Sequence, residues 1–381
     1  MSAEWNTFRY LWEKIYEKFQ ATHHDIGVEF VPYAPELASH EDIKNFDILQ
    51  VSADSRPRFA ESGYFFDMNE LEREHEHEHE HDFYACFNDA VSWNGKRLGY
   101  PHVAAVNCYF WNKKFLEDST SLSQSCSGFW NFFSTLSLTV KDKPVSALIN
   151  TFPIEDLFRS ADSSVSWNVD AKSIIPTEGF KHFLQHFEEY YCNNKVFYNE
   201  CLNPSDIRDS FFNGRGLAIS GNSCWIPDME SQKSLKFGIL PPVIEPGCHV
   251  QVNCIVNAIS NYTSYPEECL EFIQYLSSRE SLTFFAENGR LTSRKDSNMN
   301  LELKALDSQS VENIKSCLEK GKVLKVMNPE LRYNLFATVF HELRKWQCGS
   351  YPVEEVFEVL KRKINFYIRG MMIKKEGQDR K

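Results

Sequence analysis

The densest run of metal-binding and proton-transferring groups is Glu74-His75-Glu76-His77-Glu78-His79-Glu80-His81. Imidazole and carboxylate both ligate zinc or nickel. As a strand, His75, His77, His79 and His81 would share one face, and as a helix His75 and His79 would stand one turn apart. A structural metal site also needs fixed geometry and hydrogen-bond partners behind its ligands, which a repetitive polar tract rarely supplies. The run therefore reads as a solvated surface loop, with those four histidines a weak metal candidate only.

Enzyme motifs fail on inspection. Gly221-Asn222-Ser223-Cys224-Trp225 lacks the closing glycine of a nucleophile elbow. His341-Glu342-Leu343-Arg344-Lys345 lacks the second histidine of a zinc protease helix. Asn213-Gly214-Arg215-Gly216 and Asn288-Gly289-Arg290-Leu291 offer no phosphate-cradling glycine pattern. No spacing singles out a Cys–His pair, so no catalytic residue is assigned and a non-enzyme is expected. Asn261-Tyr262-Thr263 is a formal glycosylation sequon, and without a visible secretory leader it reads as chance.

The 381 residues carry 41 Lys+Arg against 53 Asp+Glu, a formal charge of 41 − 53 = −12. Such an acidic chain lacks the electrostatic footprint of a nucleic-acid binder. A hydrophobic share of 42% with 14% aromatics is ample for buried cores. At roughly 100–200 residues per domain, two domains or one two-lobed body are expected. No stretch approaches the roughly 18 apolar residues of a membrane span, so a spanning segment is not expected. The eleven cysteines contain no C-x-x-C pair, and Met1-Ser2-Ala3-Glu4-Trp5-Asn6 shows no basic and apolar leader. Both features favour a reducing compartment, which a cytoplasmic location would satisfy, and they leave the location itself open.

Behind these residues stand elements read from periodicity. Phe8, Leu11, Trp12, Ile15, Tyr16 and Phe19 form a helical stripe, as do Phe180, Phe183, Leu184, Phe187 and Tyr191. Pro266 sits where a first-turn proline would, followed on one face by Cys269, Phe272, Ile273 and Leu276. A last stripe runs Val353, Val356, Phe357, Leu360, Ile364. Strand candidates are 27–32, 46–51, 98–100, 145–150, 217–220, 237–240 and 253–259. Short strands alternating with helices indicate an α/β architecture with its sheets covered on both faces. No long linker divides the chain, so two lobes would be joined by crossing strands.

Several ordered segments resemble the extracellular solute-binding protein family of ABC importers, in its carbohydrate-type, maltose-binding-protein-like branch. Phe19 with Gly27-Val28-Glu29-Phe30-Val31-Pro32-Tyr33 resembles that family's first helix and second strand. Phe46-Asp47-Ile48-Leu49-Gln50-Val51, Phe59 to Tyr64 and Asp67 to Leu71 resemble the strand and helix that follow. Trp93-Asn94-Gly95-Lys96-Arg97-Leu98-Gly99-Tyr100-Pro101 and Phe110-Trp111-Asn112-Lys113-Lys114-Phe115 resemble the family's "NGK-x-x-G-x-P … YNK" crossing, the most specific match. Phe212 to Gly221 with Trp225, Pro227 and Asp228 resembles the second-lobe "NGKAAM…G-x-W…PD" segment. Pro266 to Ser278 and Glu287 to Arg294 resemble the return segment, so the resemblance covers nearly the whole chain.

The resemblance implies a type II periplasmic-binding-protein-like fold: two hinge-linked α/β lobes, with the ligand in the cleft between them and the family's first strand missing. Lobe 1 would span 1–106, completed by 254–303, and lobe 2 would span 107–253, completed by 304–381. Hinge crossings would fall near 106–109 and 251–255. By position, the ligand-contact candidates are Asp54, Asn107, Asn150, Phe152, Trp225 and Phe336. Ala105 stands where the family's maltodextrin binders place an acid, which argues against a maltodextrin ligand. The implied function is capture of a small polar solute, such as a sugar or oligosaccharide, by cleft closure and delivery to an ABC permease. The alternative is a cytosolic ligand-sensing module of the same fold, the effector part of a transcription regulator; a hydrolase or metal-binding protein comes third. No cofactor and no direct nucleic-acid contact are implied, and a monomer is expected.

Overall fold

The computed structural model is described for residues 3–31, 40–53, 59–60, 62–71, 82–116, 122, 129–141, 146–149, 167–169, 174–176, 185, 204–240, 250–300, 303, 306–323, 342, 352, 354–363 and 365–366. The N-terminal stripe folds as helix α1 (Ala3–Gln20). It buries Leu11, Trp12, Ile15 and Phe19 against Val103, Phe272, Leu276 and Phe285. Burial of each such side chain contributes about 1.5–3 kcal/mol, so this stripe docks the helix firmly.

Among the described residues seven strands make one sheet: β1 (Ile48–Ser52), β2 (Tyr100–Asn112), β3 (Ser146–Ile149), β4 (Gly216–Asn222), β5 (Phe237–Leu240), β6 (Gln251–Ile259) and β7 (Lys322–Val323). Their order is β1-β6-β2-β4-β3, with β7 alongside β6 and β5 alongside β2. The pairs β1/β6, β6/β2, β2/β4 and β2/β5 are antiparallel, whereas β6/β7 and β3/β4 are parallel. Two short hairpins, Ser92–Trp93 with Lys96–Arg97 and Trp167–Val169 with Ile174–Pro176, lie off this sheet.

Helices cover the sheet. They are α2 (Phe129–Val140), α3 (Pro204–Phe212), α4 (Ile226–Ser231), α5 (Pro266–Leu276), α6 (Arg279–Glu287) and α7 (Ser308–Lys320). Pro266 is at the first turn of α5, as its fixed φ and missing N–H favour. Ser278 caps α6 by accepting from Ser281 N–H, and Asp307 caps α7 by accepting from Ser310 N–H. Residues 354–363 are helical and bury Val356, Phe357 and Leu360, as their stripe predicts.

Three expectations need correction or bounding. Residues 27–31 form no strand. Val28 N–H donates instead to the Tyr16 hydroxyl at 3.3 Å, and Ile26 and Val28 pack on the α1 cluster, so the segment is tied to a helix rather than to a neighbouring strand. Of the candidate at 98–100 only Tyr100 is in a strand, where it opens the thirteen-residue strand β2 that also contains the expected hinge crossing at 106–109. Apolar runs buried on both faces lose the period-2 signal, which is why β2 reads as fragments. The 180–191 stripe lies outside the described residues apart from position 185.

β2 carries the whole architecture. Through Val106 it pairs with β6, and from Asn107 onward it pairs with β4 and then β5. Its pairing with β6 slips by one residue: Ala104 faces Cys254 while Pro101 faces Val256. The extra residue in β2 is a bulge at His102 and Val103. Consequently both side chains turn to the α1 side, Val103 into the helix cluster and His102 onto Trp12 at 4.8 Å.

Candidate functional site

The site begins with the alternation along β2. Ala104, Val106, Cys108 and Phe110 lie on one face and belong to a single apolar cluster. On the other face, Val103 is covered by α1 and Tyr109 by α2, whose Phe132 ring lies 4.9 Å away. Between these covers, Ala105 and Asn107 are only half-buried. The strand thus opens on one face only, where it changes partners.

Neighbouring strands open at the same level. In β6 Asn253 and Ile255 are half-buried between buried Val252, Cys254 and Val256. In β4 the burial breaks at Ser220, Gly221 and Asn222, while in β1 the face carrying Ile48, Gln50 and Ser52 is incompletely buried along its length. Register aligns them: Ser52 faces Ile255, Asn253 faces Ala105, and Asn107 faces Asn222. Residues directly opposite, and residues two apart, point to the same side of a sheet. Ser52, Ile255, Asn253, Ala105, Asn107 and Asn222 therefore form one row across four strands.

The row is held by its own hydrogen bonds. Asn253 Nδ2 donates to Ser52 Oγ at 2.7 Å, and its Oδ1 accepts from Cys254 N–H at 2.9 Å. Asn222 Oδ1 accepts from Cys224 N–H at 2.8 Å, capping the turn after β4, and its Nδ2 donates to Asn107 Oδ1 at 3.5 Å. With Asn107 Oδ1 accepting in this pair, its Nδ2 is the group it can offer as a donor. Carboxamides and a hydroxyl offer donors and acceptors in close alternation without charge, the chemistry that suits hydroxyl-bearing solutes.

Among the sequence candidates, Asn107 sits in this row and Trp225 does not. Trp225 lies in the turn after β4, with its ring parallel to Phe110 at 6.3 Å and the Arg208 guanidinium 5.4 Å from its centroid. Arg208 is held in turn by Asp228 at 2.9 Å. A Cβ on Gly221 would stand 2.5 Å from the indole, so only glycine allows this approach. Gly221 alternates with Asn222, so the indole packs on the face opposite the asparagines. Asp54, Asn150, Phe152 and Phe336 lie outside the described residues, as do His75, His77, His79 and His81. Asp54 follows the end of β1 and Asn150 the end of β3, both strands of the same sheet.

Asn222, Asn253 and Ser52 escaped the sequence reading. The signal was present as polar residues at alternate positions of otherwise apolar runs, Ala105-Val106-Asn107 and Asn253-Cys254-Ile255. Among the described residues no group of three His, Cys, Asp or Glu is placed to hold a metal ion. Burial pushes the thiols of Cys86 and Cys269 up to about 11 and that of Cys317 up to about 12, so they stay protonated and are poor nucleophiles or ligands. No helix among the described residues is long and apolar enough to cross a membrane.

No family model and no curated protein matches this chain. Solved structures do. An ABC substrate-binding protein of Listeria monocytogenes in complex with cycloalternan has a TM-score of 0.77 at 14% identity, over 94% of this chain and 96% of that one. Maltose-bound MalE3 of T. maritima gives 0.73 at 16% identity, over 94% and 96%. The maltotriose binding protein of Thermus thermophilus, bound with maltotriose, gives 0.71 at 15%, over 94% and 97%. At these identities the likeness establishes the fold: this chain has the two-lobed architecture of the MalE-like solute-binding proteins, over nearly its whole length.

Proposed function

We propose that this chain is a non-enzymatic solute-binding protein that captures an uncharged, hydroxyl-rich small molecule, a sugar or oligosaccharide, and delivers it to an ABC permease. The observation that carries the reading is the polar row of Ser52, Asn253, Asn107 and Asn222, open where β2 changes partners. In a two-lobed fold the junction between lobes is where a ligand finds the most surface. The change of partner between Val106 and Asn107 supports a first lobe of 1–106 with 254–303 and a second of 107–253 with 304–381. Closure of the lobes on the solute is driven by the solute's higher affinity for the closed state. The titles of the similar structures, which name cycloalternan, maltose and maltotriose, support a carbohydrate. The chain acts as a monomer and needs no cofactor in this reading.

A thermal-shift panel of maltose, maltotriose, cycloalternan and tagatose tests it. By linkage, a ligand at 100 times Kd adds about 2.7 kcal/mol, enough to move the melting midpoint by several degrees. No shift with any carbohydrate would sink the reading.

The sensor alternative is favoured by the unbridged thiols of Cys86, Cys269 and Cys317, which fit a reducing environment. Genomic neighbours separate the two readings. Adjacent permease reading frames support delivery, and a fused or adjacent DNA-binding reading frame supports sensing.

A further inference from the structure

One edge of β2 is stitched by side chains where its backbone partners run out. On that edge Ser293 N–H donates to His102 O and Ala104 N–H donates to Leu291 O, both at 2.8 Å. Thr292 bridges Val103 between them. Beyond the crossing, β4 pairs with the same strand from Asn107. Val106 N–H points to this edge between the two partners, and its acceptor is the Ser223 hydroxyl at 3.0 Å. Ser223 is 3% exposed and belongs to the turn that follows β4.

Arg290 spans the same gap from the opposite direction. It immediately precedes the 291–293 run and is 2% exposed. Its Nη1 donates to the carbonyl of Cys224 at 2.9 Å. One side chain from each flanking segment therefore reaches across: Ser223 to the strand, and Arg290 to the turn beyond it. A guanidinium is costly to bury and is held by the bonds it makes, so an apolar residue would fill this space more cheaply. An arginine here is explained by what it joins.

We infer that Arg290 is a positioning residue: by tying the return segment to the turn after β4, it fixes the angle between the two halves of the molecule at the β2 crossing. The inference rests on the two-lobed binding reading for its consequence, because binding is weakened in proportion to the fraction of molecules holding the competent angle. Arg290 is too buried to touch a solute in the cleft. Its loss therefore weakens every ligand by one common factor, whereas loss of a contact residue discriminates among ligands.

Hydrogen–deuterium exchange on the ligand-free full chain tests the tie directly, comparing wild type, Arg290→Met, Arg290→Lys and Ser223→Ala. Arg290→Met should speed exchange about tenfold in peptides covering 104–107 and 222–226, the effect of losing one hydrogen bond to a charged group. Peptides of α5 and α6 should be unchanged, and Arg290→Lys, which keeps a charged donor, should recover part of the protection. Unchanged exchange at the crossing, or a rise spread equally over α5 and α6, would overturn the inference. Should Arg290→Met fail to fold, Arg290→Gln, which is shorter and uncharged, decides by the same two criteria. Titration of the same variants with maltose and maltotriose should show equal fold-losses for both sugars. Wild type binding neither sugar counts against the carbohydrate reading and leaves the exchange result to decide the tie.

Discussion

The two faces of β2 are built from the same strand and have opposite designs. One face, through Ala104, Val106, Cys108 and Phe110, is apolar without interruption and runs in one cluster past the point where the strand changes partners. The other is covered by α1 at Val103, opens at Ala105 and Asn107, and is covered again by α2 at Tyr109. The closed face gives the crossing its strength, and the open face gives it something to bind. A hinge-linked binder needs both, since a crossing open on both sides would lack a core and one closed on both would lack a site. His102 shows the cost of a polar group in the wrong environment. The bulge turns it into the α1 packing, fully buried between Trp12 and Phe285, and among the described residues neither ring nitrogen finds a hydrogen-bond partner.

The sharpest way to break this contrast is to place the same charge on each face. Val106→Asp buries a carboxylate in the continuous cluster and should cost more than about 4 kcal/mol, enough to leave little folded protein by circular dichroism. Asn107→Asp, one position on, should change the denaturation midpoint by no more than about 0.5 kcal/mol. Equal damage at both positions would erase the distinction between faces.

Acid should reach the covered part of the open face first. Burial pushes the His102 ring down to about 3, against 6.5 for an unperturbed imidazole. Between those values the unfolded chain holds a proton that the folded chain refuses. Stability from this group is therefore complete above about 6.5 and falls as the pH drops, at about 1.4 kcal/mol per pH unit, levelling off below about 3. His102→Leu removes this one-proton slope and is neutral or stabilising at pH 8, because it replaces an unpartnered polar ring with an apolar group. Urea midpoints of both proteins from pH 8 to 4 check it.

Gly221→Ala probes the seam between the faces. Its new Cβ meets the Trp225 indole, so a loss of about 1–3 kcal/mol with a shifted tryptophan emission is expected. The smallest effect on folding belongs to Asn107→Ala, within about 0.5 kcal/mol. It should nonetheless remove an amide that the polar row offers a solute.

Much of this was legible in the chain. The apolar stripes of α1 and α5 are strong because each helix buries a single face, and Pro266 marks a start. The ordered motifs around Trp93–Pro101 and Asn213–Gly221 pointed to the two-lobed fold that the structural likenesses establish. What stayed hidden depends on register. That Asn253 sits opposite Ala105, and Asn222 opposite Asn107, follows from pairing between segments more than a hundred residues apart. The bulge that sends His102 into the core is likewise a property of two strands together. Trp225 was singled out as an aromatic in the right segment, yet the alternation of Gly221 and Asn222 decides its face, and that alternation is visible only once β4 has a partner.

The account turns on the polar row being the floor on which a solute rests. Titration calorimetry of wild type and Asn107→Ala, with the carbohydrate that most stabilises wild type in the thermal-shift panel, measures this most directly. The account predicts binding that weakens at least about tenfold in the variant, about 1.4 kcal/mol or more, while the ligand-free melting temperature stays the same. Equal dissociation constants in the two proteins, or no carbohydrate bound by wild type, would contradict it.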